Sequence, residues 1–131
     1  MKKAAALAVA AIASVGLLAG CSSSNEAIKK VDPVEFSEVV KQPGVITLDV
    51  RTPEEFNAGH IANAININLE GSDFTSEVSK LDMNATIAVY CRSGNRSGVA
   101  TEQMAELGFV DMYDMQGGIL EWEAVGGQVV N

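Results

Sequence analysis

Two cysteines occur in the 131 residues, Cys21 and Cys91, and the second opens the segment Cys91-Arg92-Ser93-Gly94-Asn95-Arg96-Ser97. That segment combines a thiol, two guanidinium groups, a hydroxyl at Ser97 and, in Gly94 and Asn95, two residue types that tolerate positive φ. Before it runs Thr86-Ile87-Ala88-Val89-Tyr90, which reads as a buried strand, and after it the pattern turns helical. A loop between a strand and a helix N-terminus aims consecutive N–H groups at one point, with the positive end of the helix dipole behind them. Such a loop favours an anion at the sulfur. From Leu81 to Asn131 there are seven acidic side chains but only two basic ones, Arg92 and Arg96, both within five residues of Cys91. The thiol therefore sits in a locally electropositive site suited to nucleophilic attack on an anionic substrate.

The elements that must position this loop follow one another as strand and helix in alternation. Asp32-Pro33-Val34-Glu35 has the form of a helix start, with Asp32 as N-cap and Pro33 at the first helical position. Phe36, Val39 and Val40 give that helix its apolar face, and Gln42-Pro43-Gly44 ends it. Val45 to Val50 reads as a strand buried on both faces, followed by a short helix from Pro53 that stops at Gly59. Ala64 to Ile67 is a short strand, and Ser72 to Lys80 a helix capped by Ser72 or Asp73. Beyond the Cys91 loop the pattern predicts a helix over Gly98 to Leu107, with Val99, Met104 and Leu107 in the core and Gly108 ending it. A strand over Val110 to Tyr113 and a short helix after Gly117-Gly118, through Ile119, Leu120 and Trp122, complete the chain. This order predicts one α/β domain with a mostly parallel sheet, in which functional groups gather beyond the carboxyl ends of the strands.

The N-terminus has a different composition. Lys2 and Lys3 precede a chargeless run from Ala4 to Ala19, which reads as an export signal over residues 1–20. Its sixteen residues fall short of the ~20 that cross a bilayer core. Leu18-Ala19-Gly20-Cys21 resembles the lipobox of bacterial lipoproteins, which implies cleavage before Cys21 and lipidation of its new N-terminus. Residues 21–26 then form a lipidated Cys and polar tether, and the expected location is exported, lipid-anchored to a bacterial membrane and facing the periplasm or the cell exterior. With Cys21 committed to lipid, Cys91 is an unpaired thiol in an oxidising compartment, either buried and inert or kept for its reactivity. The net charge of −8 becomes −10 once Lys2 and Lys3 are set aside, a surface that repels phosphate backbones and excludes a nucleic-acid partner.

Several blocks, taken together, resemble the single-domain rhodaneses, a family of sulfurtransferases. They are Asp49-Val50-Arg51-Thr52-Pro53-Glu54-Glu55-Phe56, Gly59-His60-Ile61 with Ala64 and Asn66, the segment Tyr90 to Ser97, and Gly117-Gly118 with Trp122. The resemblance implies a rhodanese-like domain over residues 27–131, a five-stranded parallel sheet with helices on both faces, and Cys91 as the sulfur-carrying nucleophile. The implied chemistry takes sulfane sulfur from a small anionic donor such as thiosulfate onto Cys91, then passes it to cyanide or a thiol. Arg92 and Arg96 would attract the donor and stabilise the departing sulfite, the loop amides from Arg92 to Ser97 would hold the persulfide, and Ser97 would offer its hydroxyl. Asp49 and Arg51, ending a strand on the same side of the sheet, read as an ion pair bracing the loop.

Two other classes stay open: a thiol-based phosphatase or arsenate reductase, and a non-catalytic persulfide carrier or docking module. Spacing speaks against the first, because those enzymes resemble Cys-x5-Arg whereas Cys91 to Arg96 is Cys-x4-Arg, a smaller cradle suited to one sulfur atom. His60 reads as a structural hydrogen-bonding residue rather than a base, and Glu54, Glu55, Glu121 and Glu123 as solvated helix faces. Met104, Met112 and Met115 read as packing, since no second Cys or spaced His accompanies them; neither metal nor cofactor is expected. Gly117-Gly118 reads as a tight turn near the site.

Overall fold

The computed structural model describes residues 25–131, so the export signal and Cys21 lie outside the described residues. Ten elements alternate along the chain: β1 (Ile28–Val31), α1 (Pro33–Val40), β2 (Ile46–Asp49), α2 (Pro53–Ala58), β3 (Ile65–Asn66), α3 (Phe74–Val78), β4 (Ile87–Tyr90), α4 (Asn95–Leu107), β5 (Met112–Met115) and α5 (Gly118–Ala124). They build one five-stranded sheet in the order β1-β5-β4-β2-β3, with every pairing parallel. The expected α/β fold, five parallel strands with helices on both faces, is what the chain forms.

The alternation of side chains along β4 divides the interior in two. Ile87 and Val89 face a cluster built with Leu48, Phe74, Val78, Ala100, Met104 and Met112, while Ala88 and Tyr90 face a second cluster with Phe36, Met115, Ile119 and Trp122. All four β4 residues are fully buried, which is why its sequence is an unbroken apolar run. Cys91, the next residue, continues the alternation and joins the first cluster.

Local signals account for most boundaries. Asp32 caps α1, its Oδ1 accepting from the Glu35 N–H at 2.8 Å, with Pro33 in the first turn. Gly108 ends α4 at φ +114°, in the left-handed conformation. Four expectations are corrected. Helix α4 begins at Asn95, so Asn95, Arg96 and Ser97 form its first turn, and only Gly94, at φ +105°, uses positive φ. Its buried stripe is Ser97, Ala100, Thr101 and Met104, a 3–4 spacing that leaves Val99 off the stripe and 49% exposed. The last strand lies two residues later than expected, because Val110 is exposed and Asp114, although charged, is an interior strand residue held by Lys30. Helix α3 spans only Phe74–Val78, and the Asp73 side chain makes no capping bond.

Strand β1 has Lys29 and Lys30 at its centre between Ile28 and the buried Val31, and pairs in parallel with β5 at the sheet edge. Ion pairs add to that hold. Lys29 Nζ lies 2.7 Å from Asp111, whose other oxygen accepts from the Thr86 hydroxyl, so one carboxylate ties together the approaches to β1, β4 and β5. The Lys29 ammonium and the Thr86 hydroxyl hold the Asp111 carboxyl below the usual carboxylate range. Among the described residues no helix is long and apolar enough to cross a membrane.

Candidate active site

At the carboxyl end of β4 the chain makes a four-residue curl, Cys91 to Gly94, and enters α4. The Gly94 N–H donates to Cys91 Sγ at 3.0 Å, and the Ser97 hydroxyl oxygen lies 3.5 Å from the same sulfur. Ser97 also donates to the Gly94 carbonyl at 3.2 Å, which ties the first turn of α4 to the curl. The sulfur lies at the N-terminus of a 13-residue helix, where the Gly94 N–H and the positive end of the dipole point at it; the Ser97 hydroxyl, expected to donate to the sulfur, gives its proton to the Gly94 carbonyl and accepts from the Cys91 thiol. Cys91 itself is 1% exposed, shielded from bulk water.

Helix α5 locks the other side of the curl. The Ile119 N–H donates to the Cys91 carbonyl at 2.9 Å and the Leu120 N–H to the Arg92 carbonyl at 3.2 Å. That approach explains Gly117-Gly118: both have positive φ, and a Cβ on Gly118 would collide with the Arg92 carbonyl and with Ser93 N. The expected tight turn thus presses α5 against the loop.

Arg92 and Arg96 have different surroundings. Arg96 sends Nη1 to Glu55 Oε1 at 2.7 Å and Nη2 to Oε2 at 3.0 Å, a two-pronged pair across 41 residues of sequence. Glu55 is therefore no solvated helix face. It also completes a capping box with Thr52 at the start of α2, so one carboxylate caps α2 and clamps α4. The hydrogen bonds from Arg96 pull its pKa down to about 2. Two of the five N–H donors of Arg96 are thus engaged by Glu55. Arg92 is exposed and has no ion-pair partner among the described residues. The Thr52-x-x-Glu55 box is legible in the sequence; the reach of Glu55 to Arg96 is not.

Asp49 and Arg51 form a buried pair: Nε lies 3.0 Å from both carboxylate oxygens and Nη2 lies 2.7 Å from Oδ2. Nη2 also donates to the Gly59 carbonyl at 2.6 Å, and the Asn66 side chain donates to the carbonyls of Asp49 and Arg51. Burial works against the Arg51 charge, but the hydrogen bonds and charge of Asp49 outweigh it and raise its pKa above the usual value. The pair braces the end of α2 and the start of β3 and makes no direct hydrogen bond to the Cys91 loop. The His60 Nδ1–H donates to the Phe56 carbonyl at 2.9 Å, and the ring stacks on that of Phe56 at 3.8 Å, a structural role. Met104, Met112 and Met115 are fully buried core residues. Among the described residues no cluster of His, Cys, Asp and Glu could hold a metal ion.

A β-strand, a thiol curl and a helix N-terminus at the carboxyl edge of a five-stranded parallel sheet define the class of α/β domain to which the chain belongs. The chain belongs to the rhodanese-like domain family, whose sequence model matches residues 32–125. It is 34% identical over 97 residues to the thiosulfate sulfurtransferase GlpE of Pseudomonas putida, spanning 73% of this chain and 86% of that one. It is 35% identical to the tRNA uridine(34) hydroxylase of the Wolbachia of Brugia malayi, but there the match spans only 36% of the relative. Among solved structures it resembles a rhodanese-related protein from Thermoplasma volcanium, with TM-score 0.69, 35% identity and coverage of 78% of this chain and 97% of that one. The rhodanese-like domain of an Anabaena protein gives TM-score 0.70 at 28% identity, covering 78% of each chain.

Proposed function

We propose that the chain is a sulfurtransferase that carries sulfane sulfur on Cys91 from an anionic donor such as thiosulfate to a thiophilic acceptor. The observation that carries this reading is the sulfur of Cys91 at the end of β4, held 3.0 Å from the Gly94 N–H at the N-terminus of α4. The GlpE relative supports thiosulfate as the donor type.

In the first step the Cys91 thiolate attacks the outer sulfur of the donor. A new S–S bond forms to Sγ, the donor's own S–S bond breaks, and its electron pair leaves with sulfite. Arg92 draws the dianion in and meets the charge that develops on sulfite, while the Gly94 N–H and the helix N-terminus stabilise the persulfide anion left behind. In the second step the acceptor attacks the outer sulfur of the persulfide, and the pair of the broken bond returns to Sγ. Glu55, through Arg96, is a positioning residue that fixes the first turn of α4.

The Cys-x4-Arg spacing from Cys91 to Arg96 favours sulfur transfer over the phosphatase reading. We also propose that residues 1–20 export the domain and that Cys21 tethers it to a membrane through lipid, which Leu18-Ala19-Gly20-Cys21 supports. Fatty-acid labelling that is lost in Cys21→Ala checks the anchor. Sulfite release from thiosulfate in the presence of cyanide or a thiol checks the activity: it is expected in the wild type and absent in Cys91→Ser, because a hydroxyl cannot carry sulfane sulfur. Hydrolysis of an aryl phosphate faster than thiosulfate turnover would overturn the assignment.

A further inference from the structure

On the face of the sheet opposite Cys91, the end of α1, the start of β2, the turn before β3 and α5 enclose an open cavity of about 610 Å³. Small-ligand sites span about 300–1,000 Å³. Its apolar wall comes from Val40, Val45, Ile61 and Trp122. The Trp122 indole N–H already donates to the Gln128 carbonyl at 2.9 Å, so Trp122 offers the cavity its ring alone. The polar side chains of the lining divide by whether they have partners. The Ser37 hydroxyl donates to the Val34 carbonyl at 2.6 Å and Lys41 Nζ to Glu38 at 3.2 Å, while Asn63 and Gln128 are exposed at the rim. Thr47 is the exception. It faces the same side of the sheet as its register partner Ala88, is 6% exposed, and its hydroxyl makes no hydrogen bond among the described residues. The one side-chain atom there that is both sealed in and unpartnered is Asp114 Oδ1, so the Thr47 hydroxyl stays open to the cavity it lines. A buried hydroxyl calls for a partner, and the protein supplies none.

We propose that this cavity binds a small uncharged molecule, an apolar ring or short chain bearing one hydroxyl or carbonyl oxygen. That oxygen meets the Thr47 hydroxyl, and the carbon skeleton covers the half-buried Val40 and Val45 and the Trp122 ring. The ligand is uncharged because the lining offers no free counter-charge. Lys41 is its one charged side chain and is paired with Glu38, so a carboxylate gains only by breaking that pair, and an ammonium finds no carboxylate in the lining. The site shares no residue with the Cys91 loop, so the sulfurtransfer reading neither supports it nor falls with it.

The chain has a single tryptophan, Trp122, so its fluorescence reports on this cavity directly. The test titrates the full chain with cyclohexanol, and with cyclohexanecarboxylate and cyclohexylamine as charged counterparts of the same ring, following Trp122 emission and ligand-observed saturation-transfer NMR. The wild type binds cyclohexanol saturably and the two charged compounds more weakly. Thr47→Val keeps the side-chain shape, removes the hydroxyl and weakens cyclohexanol about two- to tenfold, the range of one net hydrogen bond. Thr47→Ser retains the binding, and Lys41→Gln leaves it unchanged. Without ligand, Thr47→Val does not lower the urea midpoint, since the hydroxyl has no protein partner to lose. Absence of saturable binding by both readouts, tighter binding of either charged compound, or equal affinity of Thr47→Val and the wild type overturns the inference. A lowered urea midpoint in Thr47→Val overturns it as well, because the hydroxyl would then serve the protein itself.

Discussion

The two flanks of the Cys91 loop contain the same cation in opposite roles. On the Arg96 flank, the guanidinium lies partly buried between α4 and α2 with both prongs on Glu55, and the Asp49–Arg51 pair stiffens the adjoining end of α2. On the Arg92 flank the guanidinium reaches solvent, and only backbone bonds from α5 hold the chain beneath it. A paired arginine shapes a loop, whereas an unpaired one is available to a ligand. The difference lies in the partners, since the two side chains are chemically identical and four residues apart.

The sharpest way to break this contrast is on the anchored side. Asp49→Ala leaves the Arg51 guanidinium buried without its counter-ion, and loss of one member of a buried pair costs about 3–5 kcal/mol, read as a lower urea midpoint. Gly118→Ala comes next. Its Cβ meets the Arg92 backbone at a positive φ, so overpacking and strain together cost about 2–4 kcal/mol, and sulfur transfer falls as the curl is displaced. Glu55→Gln is milder, about 1 kcal/mol, and carries a pH signature. The depressed Glu55 pKa, about 2, means its contribution is complete above the ordinary carboxylate value near 4.5 and is lost as pH falls from there toward 2. Acid titrations of stability should therefore drop more steeply for the wild type than for Glu55→Gln in that window. Equal slopes would detach Glu55 from Arg96.

Arg92→Ala should have the smallest effect on stability and a selective one on kinetics. The exposed side chain has no partner to lose, so the urea midpoint should not move. The KM for thiosulfate should rise by up to about fivefold, an effect that fades with salt. A large loss of stability would place Arg92 on the anchored side and dissolve the comparison.

What the sequence discloses follows from how local each signal is. The Asp32-Pro33 helix start, the β4 run and the strand-thiol-helix order around Cys91 rest on neighbours in sequence, and each forms as read. Strand β1 escapes that reading because Lys29 and Lys30 pair with Asp111 and Asp114 more than 80 residues away. Val99 is misplaced for a geometric reason: with α4 starting at Asn95, the buried stripe falls on its neighbours at 97, 100, 101 and 104. The Glu55–Arg96 clamp depends on the approach of α2 to α4 and has no local trace. A charge count around Cys91 therefore treats both arginines as alike, while the fold pairs Arg96 with Glu55 and leaves Arg92 without an ion-pair partner among the described residues.

Intact-protein mass spectrometry of the protein, before and after thiosulfate, tests the central claim most directly. The account predicts that the wild type gains one sulfur atom, that peptide mapping finds it on Cys91, that cyanide or a small thiol removes it, and that Cys91→Ser gains none. A Cys91→Ser protein that still loads and releases sulfur would contradict the account.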